Sequence, residues 1–260
     1  MQIEQVIGGV NGDTTAQAIQ LRMRSAGQNQ MQFSRVRVFD ATGANPIMIV
    51  DMATTVPSGS AGRRVLIASS NFASYTSPAA APDFIMTNLI PPSYLAAGSL
   101  TFEQDNGTIL WRLSWGGAAY TGSHTGSITN DADGNFGPGV PFALPSTSLQ
   151  AVVFTGASNA LSTNNAAQYV VTAGAATFTN NATATFLVQN AVCATTLGDT
   201  NSDNCQSAAD IQRLVDCLVG GGHVGTTTCA CSDSDGNAML DLFDLDDLVN
   251  DLLNPTSPCP

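Results

Sequence analysis

The residues of this chain whose spacing most clearly does chemistry are acids, and the pattern is written twice: Asp199-Thr-Asn201-Ser-Asp203-Asn204-Cys205-Gln206-Ser207-Ala208-Ala209-Asp210, then Asp233-Ser-Asp235-Gly-Asn237-Ala238-Met239-Leu240-Asp241-Leu242-Phe243-Asp244. Each copy is a twelve-residue loop with oxygen-bearing side chains at positions 1, 3, 5, 9 and 12. A hard cation that takes about six to eight oxygens is wrapped by such a loop once the carbonyl of position 7 is added. The expected ion is calcium, at two sites. Zinc prefers thiolates and imidazoles, and magnesium gives up its water reluctantly.

After each twelfth position the apolar period becomes helical, at Ile211, Leu214, Val215 and Leu218 and again at Leu245, Leu248, Val249 and Leu252. Each stripe is too short to be buried alone, so the two loop-helix units are expected to pack face to face. On these residues the tail resembles the dockerin family, whose modules are a duplicated EF-hand-like calcium loop plus helix, closed by Asp. The resemblance covers about a quarter of the chain. It implies calcium ligation by Asp199, Asn201, Asp203, Ser207 and Asp210, with the carbonyl of Cys205. In the second loop it implies Asp233, Asp235, Asn237, Asp241 and Asp244, with the carbonyl of Met239.

This chain departs from the family pattern at three places. Position 6, usually Gly for a sharp turn, is Asn204 in one loop and Ala238 in the other. Position 8, normally aliphatic, is Gln206 in the first loop. Dockerins that read a cohesin on a scaffold carry polar pairs at positions 10 and 11, where this chain has Ala208-Ala209 and Leu242-Phe243. The competing account, an Asp-rich tail that spaces its acids by accident, requires two loops, two stripes and two closing acids to coincide.

Charge and cysteine both set the tail apart. Residues 1–190 carry 7 Arg against 9 acids, whereas residues 191–260 carry Arg213 alone against 11 Asp, and no Lys occurs anywhere. Without basic clusters the chain is not expected to bind nucleic acid or anionic membrane. Its apolar runs are far too short for membrane insertion. The start, Met1-Gln-Ile-Glu, has neither a charged leader nor an apolar signal core, so export implies a processed chain. All six cysteines, Cys193, Cys205, Cys217, Cys229, Cys231 and Cys259, lie in the tail. An even number crowded into a small module argues for disulfides and an oxidising, extracellular or cell-surface location. Zinc is the alternative, though no Cys-x-x-Cys knuckle is present. Because duplicated loop-helix units bring their termini together, Cys193 is expected to pair with Cys259; the other four are left open.

The preceding chain reads as short strands between Gly, Asn, Ser and Pro. Ala18 to Arg24 alternates, with Ile19, Leu21 and Met23 on one face, and Arg35-Val-Arg37-Val repeats the habit. Further strands are expected over 47–52, 64–68, 84–89, 99–104, 108–115, 149–154, 168–172 and 176–188, with Asp105-Asn106-Gly107 as a hairpin turn. No long helical stripe occurs before the tail. The expected fold class is mainly β: an antiparallel β-sandwich of jelly-roll or immunoglobulin type over residues 1–190, then a small α-helical dockerin-like calcium-binding domain over residues 191–260. Val65-Leu-Ile-Ala68, Gly98 to Gly107 and Trp111 to Gly116 resemble the strand order of lamin-tail-like domains of secreted bacterial proteins, a likeness that identifies no active site.

Candidates for catalysis are sparse. His124 sits in a Gly/Ser/Thr loop and His223 follows three glycines, and neither belongs to a His-Glu-x-x-His helix. No Gly-x-Ser-x-Gly elbow or phosphate loop occurs. An exposed loop histidine is a commoner outcome than a serine triad built on His124. Glu103 and Asp105 share a strand face about 7 Å apart, but such spacing is common. Trp111 and Trp115 also share a face, as a sugar platform or as core. Asp131-Ala-Asp133-Gly-Asn135 is either a third calcium loop or an Asp/Gly turn.

The resulting expectation is a non-catalytic, calcium-loaded, disulfide-tied structural or adhesive protein. It would form a homo-oligomer or homopolymer, a filament or sheath, with the strand from Gln2 as the segment donated to a neighbour. The alternative is a carbohydrate-binding or other module held on a cohesin-like scaffold.

Overall fold

The structure, a computed structural model, describes residues 1–124, 136–191, 197–201, 205–220, 229–237 and 239–254. The chain divides into two compact units, Met1–Val188 and Gln189–Pro260. The first is mainly β and the second carries the two long helices.

Strands of the first unit are β1 (Gln2–Ile7), β2 (Ala18–Arg22), β3 (Ser34–Phe39), β4 (Ile47–Met52), β5 (Arg64–Ala68), β6 (Thr76–Ser77) and β7 (Phe84–Ile85). They continue with β8 (Gly98–Gln104), β9 (Ile109–Trp115), β10 (Val152–Phe154), β11 (Tyr169–Val171), β12 (Thr177–Thr179) and β13 (Thr185–Val188). Single helical turns α1 (Pro92–Leu95) and α2 (Asn165–Gln168) interrupt them. The strands form a six-stranded sheet in the order β11-β10-β1-β2-β5-β7, a four-stranded sheet β4-β3-β8-β9 and a three-stranded sheet β12-β13-β6.

Alternation accounts for β3 of the four-stranded sheet. In β3, Ser34, Val36 and Val38 are buried while Arg35, Arg37 and Phe39 are half-exposed. Val36, Val38, Leu100, Phe102 and Leu113 join Ile3, Val6, Ile19 and Leu21 of the six-stranded sheet in one apolar core. The Asp105-Asn106-Gly107 turn joins β8 to β9, with Gly107 at φ +91° and Gln104 N–H bonded to Thr108 O at 2.9 Å. Trp111 and Trp115 are core rather than platform, both fully buried. Their indole N–H groups donate to Tyr169 Oη and Tyr94 O, each at 2.8 Å.

Alternation fails for β1, which is buried along its whole length. It lies between β10 and β2, hydrogen-bonded on both sides by its own chain, so it offers no edge for donation. Its Glu4 is satisfied by Arg64 Nε at 2.7 Å, Gln20 Nε2 at 2.8 Å and Arg22 Nη1 at 3.0 Å, which makes a buried carboxylate tolerable in mid-sheet.

Four strand expectations are corrected. The segment 84–89 supplies only the two residues of β7, which pair parallel, not antiparallel, with β5. It then turns away, and Thr87 N–H bonds to Ile49 O at 2.8 Å beside β4. The run 176–188 is a hairpin, β12–β13, because Asn180 Oδ1 and O take up the turn, with Thr183 at φ +69°. The 149–154 and 168–172 runs contribute only three residues each to strands.

In the second unit, α3 (Ala208–Val219) and α4 (Leu242–Leu253) pack on each other, with Leu214 and Leu248 fully buried. Val249, expected in the inward stripe, is 38 % exposed, while Cys217 is buried.

Candidate metal centre

Each acidic loop runs straight into a helix cap. Ser207, position 9 of the first loop, is the N-cap of α3, and Asp241, position 9 of the second, is the N-cap of α4. Ser207 Oγ accepts from Ala209 N at 3.2 Å, and Asp241 Oδ1 accepts from Phe243 N at 2.8 Å. Position 12 is then the third helical residue, whose side chain returns to the N-cap amide. Ser207 N donates to Asp210 Oδ2 at 2.7 Å, and Asp241 N donates to Asp244 Oδ2 at 2.8 Å. Capping therefore fixes the closing carboxylates against their own loops.

The other oxygen of each closing acid reaches the start of its loop. Asp210 Oδ1 accepts from Asn201 N at 3.0 Å, and Asp244 Oδ1 accepts from Ser234 N at 2.8 Å. Asp199, Asp210 and Asp244 are fully buried and Asp233 nearly so. In the second loop, carboxylate oxygens of Asp233, Asp235 and Asp244 lie within 4.8 Å of one another. Burial raises the Asp244 carboxyl above the usual carboxylate range, against the backbone N–H groups that lower it.

The remaining assigned residues are placed less directly. Asp235 accepts from Asn237 N at 3.0 Å and Asn237 Nδ2 at 2.8 Å, and Asn237 Oδ1 accepts from Met239 N at 2.7 Å. That leaves a second lone pair on Asn237 Oδ1. Asp241 stands outside the three-carboxylate group, spent on the helix cap. Met239 is exposed and Cys205 half-buried. Asp203 lies outside the described residues, as do Cys193, Cys259, His223 and the Asp131–Asn135 loop.

Two buried carboxylates, Asp233 and Asp244, and the exposed Asp235 lie close enough to repel one another. A segment with one Arg against eleven Asp has little cationic side chain to offset that repulsion. An all-oxygen donor set of this charge fits a hard divalent cation, which would be held by Asp233, Asp235 and Asp244.

The four described cysteines are oxidised. Cys217, near the end of α3, is bonded to Cys229, four residues before Asp233, and Cys205 and Cys231 are also in disulfides. The Cys193–Cys259 pairing falls outside the described residues. Contacts not foreseen from spacing tie the loops together. Gly198 N donates to Cys231 O at 2.8 Å, and Gln206 Nε2 donates to Asp251 Oδ2 of α4 at 3.1 Å. The polar residue at position 8 was the available signal.

Glu103 is fully buried and clamped by Arg37, whose Nε and Nη2 lie 2.5 and 2.7 Å from its oxygens, with Arg35 at 3.3 Å. Asp105 stands in the hairpin turn. His124 is half-buried rather than exposed, edge-on to Tyr120 with centroids 5.5 Å apart. No family model, curated protein or solved structure matches this chain.

Proposed function

We propose that this chain is a secreted, non-catalytic calcium-binding protein that assembles with copies of itself into an extracellular filament or sheath. The observation that carries the calcium reading is the convergence of Asp233, Asp235 and Asp244 in the second loop, together with the burial of Asp199 and Asp210 in the first. The dockerin-like description rests on the paired caps and closing acids of α3 and α4. A sandwich of jelly-roll or immunoglobulin type is supported by the core shared between the six- and four-stranded sheets. The Cys217–Cys229 disulfide favours an oxidising compartment. No helix among the described residues is long and apolar enough to cross a membrane.

Assembly is supported by the outer strands of the six-stranded sheet, where Val170 of β11 and Ile85 of β7 are exposed. Electron microscopy of the purified protein with calcium and with chelator tests it: calcium-dependent filaments are expected, and dispersed particles in both conditions would overturn it. One observation favours attachment to a scaffold instead. Leu242, Phe243 and Leu253 of α4 are all more than two-thirds exposed, an apolar surface suited to a protein partner. Pull-down with cohesin domains separates that reading from the first.

A further inference from the structure

A pocket of about 220 Å³ opens in the first unit beside the turn that precedes β3. Its floor is apolar, made by Met1, Met31 and Phe102, all buried. Its rim is amide and aromatic: Gln28, Gln30 and Gln104 stand around Phe33, which is 62 % exposed. No side chain lining the pocket carries a charge.

The rim groups are held but not spent. Gln28 Oε1 accepts from Arg24 N at 2.7 Å and Ser25 N at 3.4 Å, which fixes its amide and leaves Nε2 with no acceptor among the described residues. The side chains of Gln30 and Gln104 make no hydrogen bond there either, although the backbone of Gln104 closes the neighbouring hairpin. Phe33 is anchored through its carbonyl, which accepts from Asp105 N at 3.1 Å, while its ring faces solvent. The Phe33 ring and the three amides therefore share one concave surface.

We propose that this pocket binds a neutral saccharide. Side-chain amides both donate and accept, as sugar hydroxyls do, and the apolar C–H face of a pyranose covers an aromatic ring. The volume suits one sugar ring with the rest of the chain outside, and the lining side chains give no counter-ion to a phosphate or carboxylate. The proposal stands independently of the calcium loops, since every lining residue belongs to the first unit.

Saturation-transfer NMR on the full chain, with glucose and N-acetylglucosamine as neutral probes and glucose 6-phosphate as the charged one, tests it. Transfer from a neutral sugar is expected, weakened about tenfold in apparent affinity by Phe33→Ala and reduced by Gln104→Ala. Both side chains are exposed, and fluorescence of the buried Trp111 and Trp115 reports whether each variant keeps its fold. Absence of transfer from both neutral sugars would overturn the proposal, as would transfer unchanged in both folded variants, or stronger transfer from the phosphate.

Discussion

The backbone N–H of Gly198 donates to the carbonyl of Cys231 across 2.8 Å, so the residue that precedes the first acidic loop is strapped to the approach of the second. Gly198 has φ +87°, and a Cβ there would come within 2.2 Å of Gln206 Nε2, the group that bridges to Asp251 on α4. Gly198→Ala is therefore expected to cost about 1–2 kcal/mol for the left-handed backbone, before the displacement of Gln206 is added. Because the strap joins both loops, calcium affinity should fall at both. Thermal melts and calcium titrations of the variant check this, and an unchanged melt with two unchanged affinities would refute it.

The ligand assignment makes a separate prediction. Asp233→Ala removes one of the three converging carboxylates, whereas Asp199→Ala acts on the first loop. Each should weaken calcium at its own loop by at least about tenfold, or roughly 1.4 kcal/mol, and loosen the second unit. Isothermal titration with two resolvable sites reads the loss directly. Wild-type affinity in both variants would remove Asp233 and Asp199 from the ligand set.

Local chemistry explains what was legible. A twelve-residue loop that ends in a capping box is a short-range object, so the grouping of Asp233, Asp235 and Asp244 can be read from spacing alone. The alternation of Ile19 and Leu21 likewise declares β2. The centre of the six-stranded sheet is different. Glu4 and Gln5 look like solvent-facing residues, and only Arg22, Arg64 and Gln20, distant in sequence, make their strand a buried one. The parallel pairing of β7 with β5 is equally non-local, set by Asp83 Oδ2, which accepts from Leu66 N at 2.8 Å and Asn181 N at 2.9 Å. The cysteine pairing was illegible because six cysteines in one segment admit many connectivities.

Asp40 supplies a pH dependence in the first unit. The Thr42 hydroxyl, then Asn45 Nδ2 and Ala44 N–H, hold its carboxyl down at about 2 from the ordinary 3.8. A carboxyl depressed in the folded state stabilises above its unfolded value, and that stabilisation is lost as pH falls through the folded one. Asp40→Ala should therefore lag the wild type in urea denaturation at about pH 5, with the gap closing between roughly pH 4 and pH 2. A gap constant over that range would mean that Asp40 contributes nothing through its charge.

Tyr169 links three elements through one hydroxyl. Its Oη accepts the Trp111 indole N–H at 2.8 Å and donates to Ile3 O, so β9, β11 and β1 share a fully buried polar relay inside the apolar core. Burial raises the phenol far above its ordinary value, which keeps it protonated and able to donate at any working pH. Tyr169→Phe preserves the ring packing against Phe154, 5.2 Å away, but leaves a buried N–H and a buried carbonyl without their partner. The expected loss is about 1–3 kcal/mol for each group so stranded. Urea denaturation of the two proteins measures it, and Trp111→Phe in the Tyr169→Phe background should then cost less than Trp111→Phe in the wild type. If the two costs are equal, the hydroxyl and the indole do not act as a coupled pair.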